Sequence, residues 1–292
     1  MPCYHPLNAM RSSAGIQFTG DTIGNIKIPC GRCVGCRLER SRQWSVRIMH
    51  ESQLHAENSF ITLTYDDAHV PSDYSLRYPD FQKFMKRLRK HTGLPIRYYM
   101  CGEYGETFSR PHFHSCIFGF RPEDGVEFSK SGGNPIYTSE VLSKLWPFGF
   151  SSFGELTFES AAYVARYVMK KITGDAAKSH YEVIDDATGE VIQRVPEFAH
   201  MSLKPGIGSG WYDKFHSDVF PHDEVIARGF PCKPPRYYDK LLKRTNSVMH
   251  DEIKLQRVLD NYSKWRDNTP ERLKIKETVK NAQISNLKRK IL

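Results

Sequence analysis

The chain has 292 residues, enough for one substantial core with a smaller appendage. Forty-two Lys and Arg against thirty-three Asp and Glu give a formal charge of +9, a moderate excess that suits a polyanionic partner. There is no run of eighteen apolar residues and no apolar signal core near the N-terminus, which predicts no membrane span and no secretory signal. Seven cysteines, an odd number with three of them within residues 30–36, fit a reduced intracellular protein better than a disulfide scaffold.

In chain order, the first thirty residues read as loop, punctuated by Pro2, Pro6, Gly15, Gly20, Gly24 and Pro29. Residues 37–56 lack Pro and Gly and predict a helix. Phe60-Ile61-Thr62-Leu63-Thr64-Tyr65 predicts a strand by its β-branched and aromatic content. Asp80 is placed to cap a helix whose apolar residues Phe81, Phe84, Met85 and Leu88 recur at helical spacing. Residues 96–103 predict a strand, turned through the Gly105/Pro111 region into a second strand at His112-Phe113-His114. Residues 129–135 read as an exposed loop, 139–146 as a short helix, 150–158 as a strand and 159–172 as a helix. Residues 180–195 predict a hairpin about Asp186-Ala187-Thr188-Gly189, and 204–208 a turn-rich loop. One or two charged helices follow residue 251, with Pro270 starting or breaking the second. No internal repeat is present. The expected fold is α+β, a central antiparallel sheet covered by helices on one side. Its segments are a Cys-rich stretch with a basic helix over 1–56, a core over 57–210 and a basic helical tail over 211–292, integrated into one domain.

Three constellations carry chemistry. In a strand, residues two apart share a face, so His112 and His114 present adjacent imidazoles. Glu103, nine positions before His112, can lie beside them across a hairpin; Glu106 competes for that role. Two imidazoles and one carboxylate leave open positions on Mn²⁺ or another first-row ion, with Mg²⁺ also accommodated. In a helix, residues four apart stack, so Tyr163 and Tyr167 present two phenols, with Arg166 between them and Lys170 and Lys171 just beyond. A surface phenol is a nucleophile once activated; alternatively both rings simply pack in a core. A metal with tyrosine is the chemistry of cutting DNA and staying attached to one end.

The third constellation is Cys30-Gly31-Arg32-Cys33-Val34-Gly35-Cys36, with Cys3 upstream. Its spacing suits a closed structural Zn²⁺ site or an iron–sulfur cluster; zinc is preferred because phosphodiester chemistry has no use for electron transfer. His5, His50 and His55 are substitute ligands, and Cys101, Cys116 and Cys232 read as small core residues. Basic side chains cluster at Arg37, Arg40, Arg42 and Arg47, at Lys83, Lys86, Arg87, Arg89 and Lys90, and in the tail. Interleaved aromatics Tyr98, Tyr99, Phe108 and Phe113 add surfaces for base stacking.

The strand Phe60–Tyr65, the run Arg110-Pro111-His112-Phe113-His114 and the run Tyr163-Val164-Ala165-Arg166-Tyr167-Val168-Met169-Lys170-Lys171 occur in that order. Together they resemble the three motifs of rolling-circle replication initiators, the HUH endonucleases. The paired tyrosines, the start Met1-Pro2-Cys3-Tyr4-His5-Pro6, the cysteine cluster and Pro205-Gly206-Ile207-Gly208 are most similar to initiators of small single-stranded DNA phages of the gokushovirus type. The resemblance spans residues 1–210. It implies a palm-like antiparallel sheet, with Mg²⁺ or Mn²⁺ held by His112, His114 and Glu103; the structural Zn²⁺ expected at Cys3, Cys30, Cys33 and Cys36 rests on the cysteine spacing instead. The resemblance further implies attack by Tyr163 or Tyr167 on a specific origin, a 5′-phosphotyrosine link, a free 3′-OH primer and resealing of the displaced strand by the second tyrosine. Lys170, with Lys171, would contact the scissile phosphate, and Arg110, Arg166 and Lys171 would bind DNA. The expected partners are single-stranded origin DNA and a host helicase and polymerase, in the host cytoplasm. A relaxase or transposase of the same superfamily is the nearest alternative, and a non-catalytic zinc-dependent nucleic-acid-binding protein the alternative from another class. No P-loop (G-x-x-x-x-G-K-[ST]) is present, unlike initiators with a fused motor.

Overall fold

The structure, a computed structural model, describes residues 3–20, 24–105, 109–170, 175–184 and 189–286, with backbone alone for 167–170 and 175–176. These residues fall into two compact units. One holds residues 3–43, 219–225 and 232–286; the other holds 44–218 and 226–231. The division falls within the helix Val34–Ser52.

The second unit is built on a seven-stranded antiparallel sheet. Its spatial order is Phe198–Met201, Arg97–Tyr104, Pro111–Phe118, Asn58–Thr64, Ser151–Gly154, Asn134–Thr138 and Val126–Ser131. Because side chains alternate along a strand, the sheet has two distinct faces. Ile61, Leu63, Met100, Phe113, Ile117 and Phe153 line one face and pack against Phe81, Phe84, Met85 and Leu88 of the helix Tyr78–Thr92, together with Leu142 and Trp146. Phe60, Tyr99, Cys101, Cys116 and Phe118 line the other and pack against Ile48 of Val34–Ser52 and Ala161 and Val164 of the helix Phe158–Lys170. Helices therefore cover both faces, not one. The reason is visible in the composition: odd and even positions of the central strands are both apolar, so neither face tolerates water. Each fully buried Phe or Leu contributes roughly 1.5–3 kcal/mol.

Local signals explain several boundaries. The helix Tyr78–Thr92 ends at Gly93, whose left-handed φ of 66° lets its N–H bond back to the Arg89 carbonyl. Asp80 does not cap this helix, which starts two residues earlier; its carboxylate sits in the first turn and accepts the Tyr65 hydroxyl at 3.0 Å. Ser139 caps the short helix Glu140–Leu145, its hydroxyl accepting from the Leu142 N–H. The stretch read as an exposed loop at 129–135 is a hairpin, Val126–Ser131 paired with Asn134–Thr138. Gly132 and Gly133 both have positive φ, as a tight two-residue β-turn requires. Strands Glu182–Ile184 and Val191–Gln193 form the expected second hairpin, with residues 185–188 of its turn outside the described residues.

Buried Glu51 holds the 204–208 loop: it accepts from Arg97 at 2.5 Å and from the Gly208 N–H at 2.6 Å, while Arg97 also donates to the Pro205 carbonyl. Next to it, His50 stacks on Trp211 with ring centroids 3.6 Å apart, and burial pushes its pKa down from 6.5 to about 4. A depressed histidine pKa means the neutral form is the one that folds. The stability this ring contributes is complete above pH 6.5 and lost as pH falls toward 4, by about 3 kcal/mol. Thermal melts from pH 7 to pH 4 should show this loss, and His50→Phe, which keeps a stacked ring without the titration, should flatten the profile. Identical profiles for the two proteins would refute the assignment.

In the first unit the N-terminal residues are not loop. Gly15–Gly20, Leu7–Ser12 and Ile26–Ile28 form a three-stranded antiparallel sheet, the glycines marking its turns. The helices Arg236–Thr245, Ser247–Tyr262 and Pro270–Asn286 complete the unit; Pro270 starts the last of them. Arg257 pairs with both Asp223 and Asp239, and Lys233 reaches Asp223 at 2.8 Å, tying these segments together. Cys101 and Cys116 are core residues, but Cys232 is only half-buried and accepts from the Arg42 guanidinium at 3.2 Å.

Candidate active site

The hairpin Arg97–Tyr104/Pro111–Phe118 pairs Glu103 directly with His112, and Cys101 with His114. On the other side the strand Asn58–Thr64 places Thr62 opposite His114 and Thr64 opposite His112. Glu103, His112 and His114 thus lie on one sheet face, the face covered by the helix Phe158–Lys170. Phe113 between the histidines points to the opposite face and is fully buried among Phe81, Tyr65 and Trp146.

One carboxylate oxygen gathers the site. Glu103 Oε1 lies 2.7 Å from His112 Nε2, 2.8 Å from His114 Nε2 and 3.0 Å from the Tyr163 hydroxyl, which donates to it. Burial alone would raise the Glu103 pKa, but hydrogen bonds and positive charge from protonated imidazoles outweigh it and hold the carboxyl at about 2, an attraction that a cation on the same three side chains would replace. Oε2 is buried with no hydrogen-bond partner among the described residues. Glu103 and His114 are 3% exposed by side chain and His112 14%, so access is from the His112 side.

The rings are oriented from behind. His112 Nδ1 donates to the Arg110 carbonyl at 3.0 Å, and His114 Nδ1 meets the Thr62 hydroxyl at 2.9 Å. Phe60 stacks on His114 at 5.5 Å, and Tyr163 packs edge-on against the same ring at 5.1 Å. The ligand atoms of Glu103, His112 and His114 all lie within 4.8 Å of one another. Two imidazole nitrogens, a carboxylate and a buried oxygen lacking a donor suit a divalent cation, and the group can hold one.

Tyr163 is half-buried, and the exposed Arg166 guanidinium lies 6.0 Å from its ring centroid. Tyr167 and Lys170 belong to the same helix, but their side chains lie outside the described residues, as do Lys171 and Glu106 entirely. Arg110 is tied down, donating to the Tyr65 carbonyl and pairing with Asp67. Tyr99 and Phe113, expected among the base-stacking aromatics, are fully buried and present no face to a base. Tyr98 is half-buried, its hydroxyl 3.0 Å from that of Tyr78, and Phe108 lies outside the described residues.

The second cluster is in the other unit. Cys3, Cys30, Cys33 and Cys36 bring four sulfurs within 4.8 Å of one another, and among the described residues no histidine joins them. Backbone N–H groups of Tyr4, Cys30 and Cys33 point at the sulfurs of Cys33, Cys3 and Cys30 at 3.4, 3.2 and 3.3 Å. Burial raises the Cys33 thiol, but the backbone N–H groups of Tyr4 and Cys36 and the side chains of Cys36 and Cys30 outweigh it and lower the thiol to about 7. Leu273 of the helix Pro270–Asn286 closes over the cluster, and His5 meets Glu277 of that helix at 2.6 Å. Sulfurs on a tetrahedral Zn²⁺ stand about 3.8 Å apart, so this set can hold a metal.

A family model described as replication-associated protein ORF2/G2P matches residues 58–172, a span that contains Glu103, both histidines and both tyrosines. Similar phage proteins cover more of the chain. Replication-associated protein VP4 of Bdellovibrio phage phiMH2K is 35% identical over 84% of this chain and 78% of its own length. The chain belongs to the phage replication-associated protein family. Replication-associated protein ORF2 of Spiroplasma virus 4 is 35% identical over 76% of this chain and 69% of its own length. Replication-associated protein ORF4 of Chlamydia phage 1 is 30% identical over 74% of this chain and 54% of its own length. These relatives agree with the resemblance to phage replication initiators read from the sequence. No solved structure matches the chain significantly. Among the described residues no helix is long and apolar enough to cross a membrane.

Two contributors to the site in this family member were not singled out by sequence reasoning: Thr62 and the Arg110 carbonyl. The signal was present for Thr62, since the strand holding it must pair beside the histidine strand for the sheet to close.

Proposed function

We propose that this protein is the initiator endonuclease of rolling-circle phage DNA replication, nicking a specific origin by metal-assisted tyrosine attack. The observation that carries the reading is the Tyr163 hydroxyl 3.0 Å from the oxygen on which both imidazoles converge. The core over 57–210 is then an HUH palm. His112, His114 and Glu103 hold Mg²⁺ or Mn²⁺, which when bound polarises the scissile phosphodiester and stabilises its developing charge. Tyr163 or Tyr167 supplies the phenolic oxygen that bonds to phosphorus; the phosphorus–O3′ bond breaks, leaving a 3′-OH primer and a 5′-phosphotyrosine link. For Tyr163, Glu103 Oε1 is the acceptor its proton already faces. The second tyrosine cuts the regenerated origin, and the released 3′-OH reseals the displaced strand. Lys170 and Lys171 contact the scissile phosphate, and Arg110 and Arg166 hold flanking DNA. The cysteine group holds Zn²⁺ as a structural ion. Extension of the nick falls to a host helicase and DNA polymerase in the host cytoplasm.

The test is incubation with single-stranded DNA carrying the candidate origin and Mn²⁺ or Mg²⁺, with mass spectrometry of the product. The expected result is a covalent adduct on Tyr163 or Tyr167 that disappears in the Tyr163→Phe/Tyr167→Phe protein. DNA binding without any adduct would instead identify a non-catalytic binding protein.

A further inference from the structure

The strand Asn58–Thr64 contributes no metal ligand and no nucleophile, yet it presents one threonine opposite each histidine: Thr62 pairs with His114 and Thr64 with His112. We infer that Thr62 is a positioning residue whose hydroxyl fixes the His114 imidazole with its proton on Nδ1 and its Nε2 lone pair aimed at the cation. The inference rests on the proposed metal site and deepens it.

The geometry supports this at each atom. Thr62 Oγ1 lies 2.9 Å from His114 Nδ1, while Nε2 of the same ring faces Glu103 at 2.8 Å. Imidazole binds a cation through an unprotonated nitrogen, so a ring that ligates through Nε2 carries its proton on Nδ1 and needs an acceptor there. His112 has one in the Arg110 carbonyl, an oxygen that can only accept. For His114 the corresponding acceptor is the Thr62 hydroxyl. His114 is almost wholly buried, so water is a poor substitute acceptor at that position.

Thr62 is also well held. Its strand is bonded on both sides, pairing Thr62 with His114 on one edge and Ser152 on the other. A β-branched side chain has few χ1 options in such a setting, so the hydroxyl has little freedom to turn away. Phe60 stacked on the ring and Tyr163 against its edge set the plane; Thr62 is the group that accepts the Nδ1 proton when Nε2 ligates.

Thr62→Val keeps the branched shape and strand preference and removes the acceptor; Thr62→Ser keeps the acceptor. Mn²⁺ binding, measured by titration with electron paramagnetic resonance of the free ion, should weaken about 10–100-fold in Thr62→Val. Thr62→Ser should stay within about threefold of the unsubstituted protein. Long-range ¹H–¹⁵N spectra of the Mg²⁺-loaded protein should show His114 protonated at Nδ1, with the Nδ1–H proton resonance shifted upfield in Thr62→Val, where its acceptor is gone. Circular dichroism melts report whether each variant is folded. Unchanged Mn²⁺ affinity in a folded Thr62→Val overturns the inference alone, and so does a Thr62→Ser protein as weak as Thr62→Val, which would assign Thr62 to packing. An unsubstituted protein that binds no Mn²⁺ overturns the metal site as well.

Discussion

Glu103→Gln is expected to lower the rate of DNA adduct formation by ~10³-fold or more and to weaken Mn²⁺ binding, while leaving the protein folded. The substitution changes one atom's chemistry and almost nothing in shape. Glu103 Oε1 is the point on which His112, His114 and Tyr163 converge, and the charge it carries is the only negative charge in the group. A neutral amide removes the attraction for a divalent ion and offers N–H donors to imidazole nitrogens that must remain lone-pair donors toward it. Adduct yield over time on origin DNA, with Mn²⁺ affinity measured separately, checks the result. Wild-type rate and affinity in the Gln variant would remove Glu103 from the site.

If the cysteine cluster holds the proposed ion, removing it, or replacing Cys33 by Ser, is expected to unfold the segments packed on the cluster, at a cost on the order of 10 kcal/mol. The cluster is the centre of its own small core: Cys3 and Cys33 are buried together with Tyr4 and Leu273, and the other buried apolar residues of the unit, such as Phe220, Tyr238 and Leu242, are not part of it. Without a cation, four sulfurs this close repel as they ionise, and the helix Pro270–Asn286 loses the surface on which Leu273 rests. Metal analysis should return one Zn²⁺ per chain at this site, and chelation should raise amide exchange in both residues 3–43 and 270–286. Unaltered exchange after complete metal removal would contradict the structural role. Iron and inorganic sulfide in place of zinc would keep the stabilising role and correct the ion.

The histidine hairpin was legible in the sequence because period-two alternation and a nine-residue separation leave few ways to pair Glu103 with His112, and Glu103 occupies that position. Helices carrying a clear apolar stripe, such as Tyr78–Thr92, were equally readable. The N-terminal sheet was not, since Gly15 and Gly20 carry the composition of a loop yet mark the ends of a short strand. The same error hid the hairpin around Gly132 and Gly133, where Val126, Phe128, Ile136 and Tyr137 supplied strand content on either side. Tyr99 and Phe113 were misassigned for a different reason. Composition marks aromatics as potential stacking surfaces, but burial depends on which face of the sheet and which overlying helix each meets. For Phe113 the alternation that paired the histidines already sent it the other way. Asp80 shows the limit of capping signals: a carboxylate near a helix start was recruited by the Tyr65 hydroxyl instead.

That two-residue rhythm also governs what changes the gene can absorb. Adding or deleting one codon within Pro111–Phe118 would swing Phe113 toward the tyrosine helix and bury both imidazoles beneath Trp146, erasing the reaction centre and the packing beneath it in a single step. Length variation between Tyr104 and Pro111 carries no such penalty, because the Gly105 N–H and Arg110 carbonyl close the hairpin just inside that stretch. Insertions in this lineage should therefore gather there, and the histidine strand should keep a constant length however far the rest of the chain diverges.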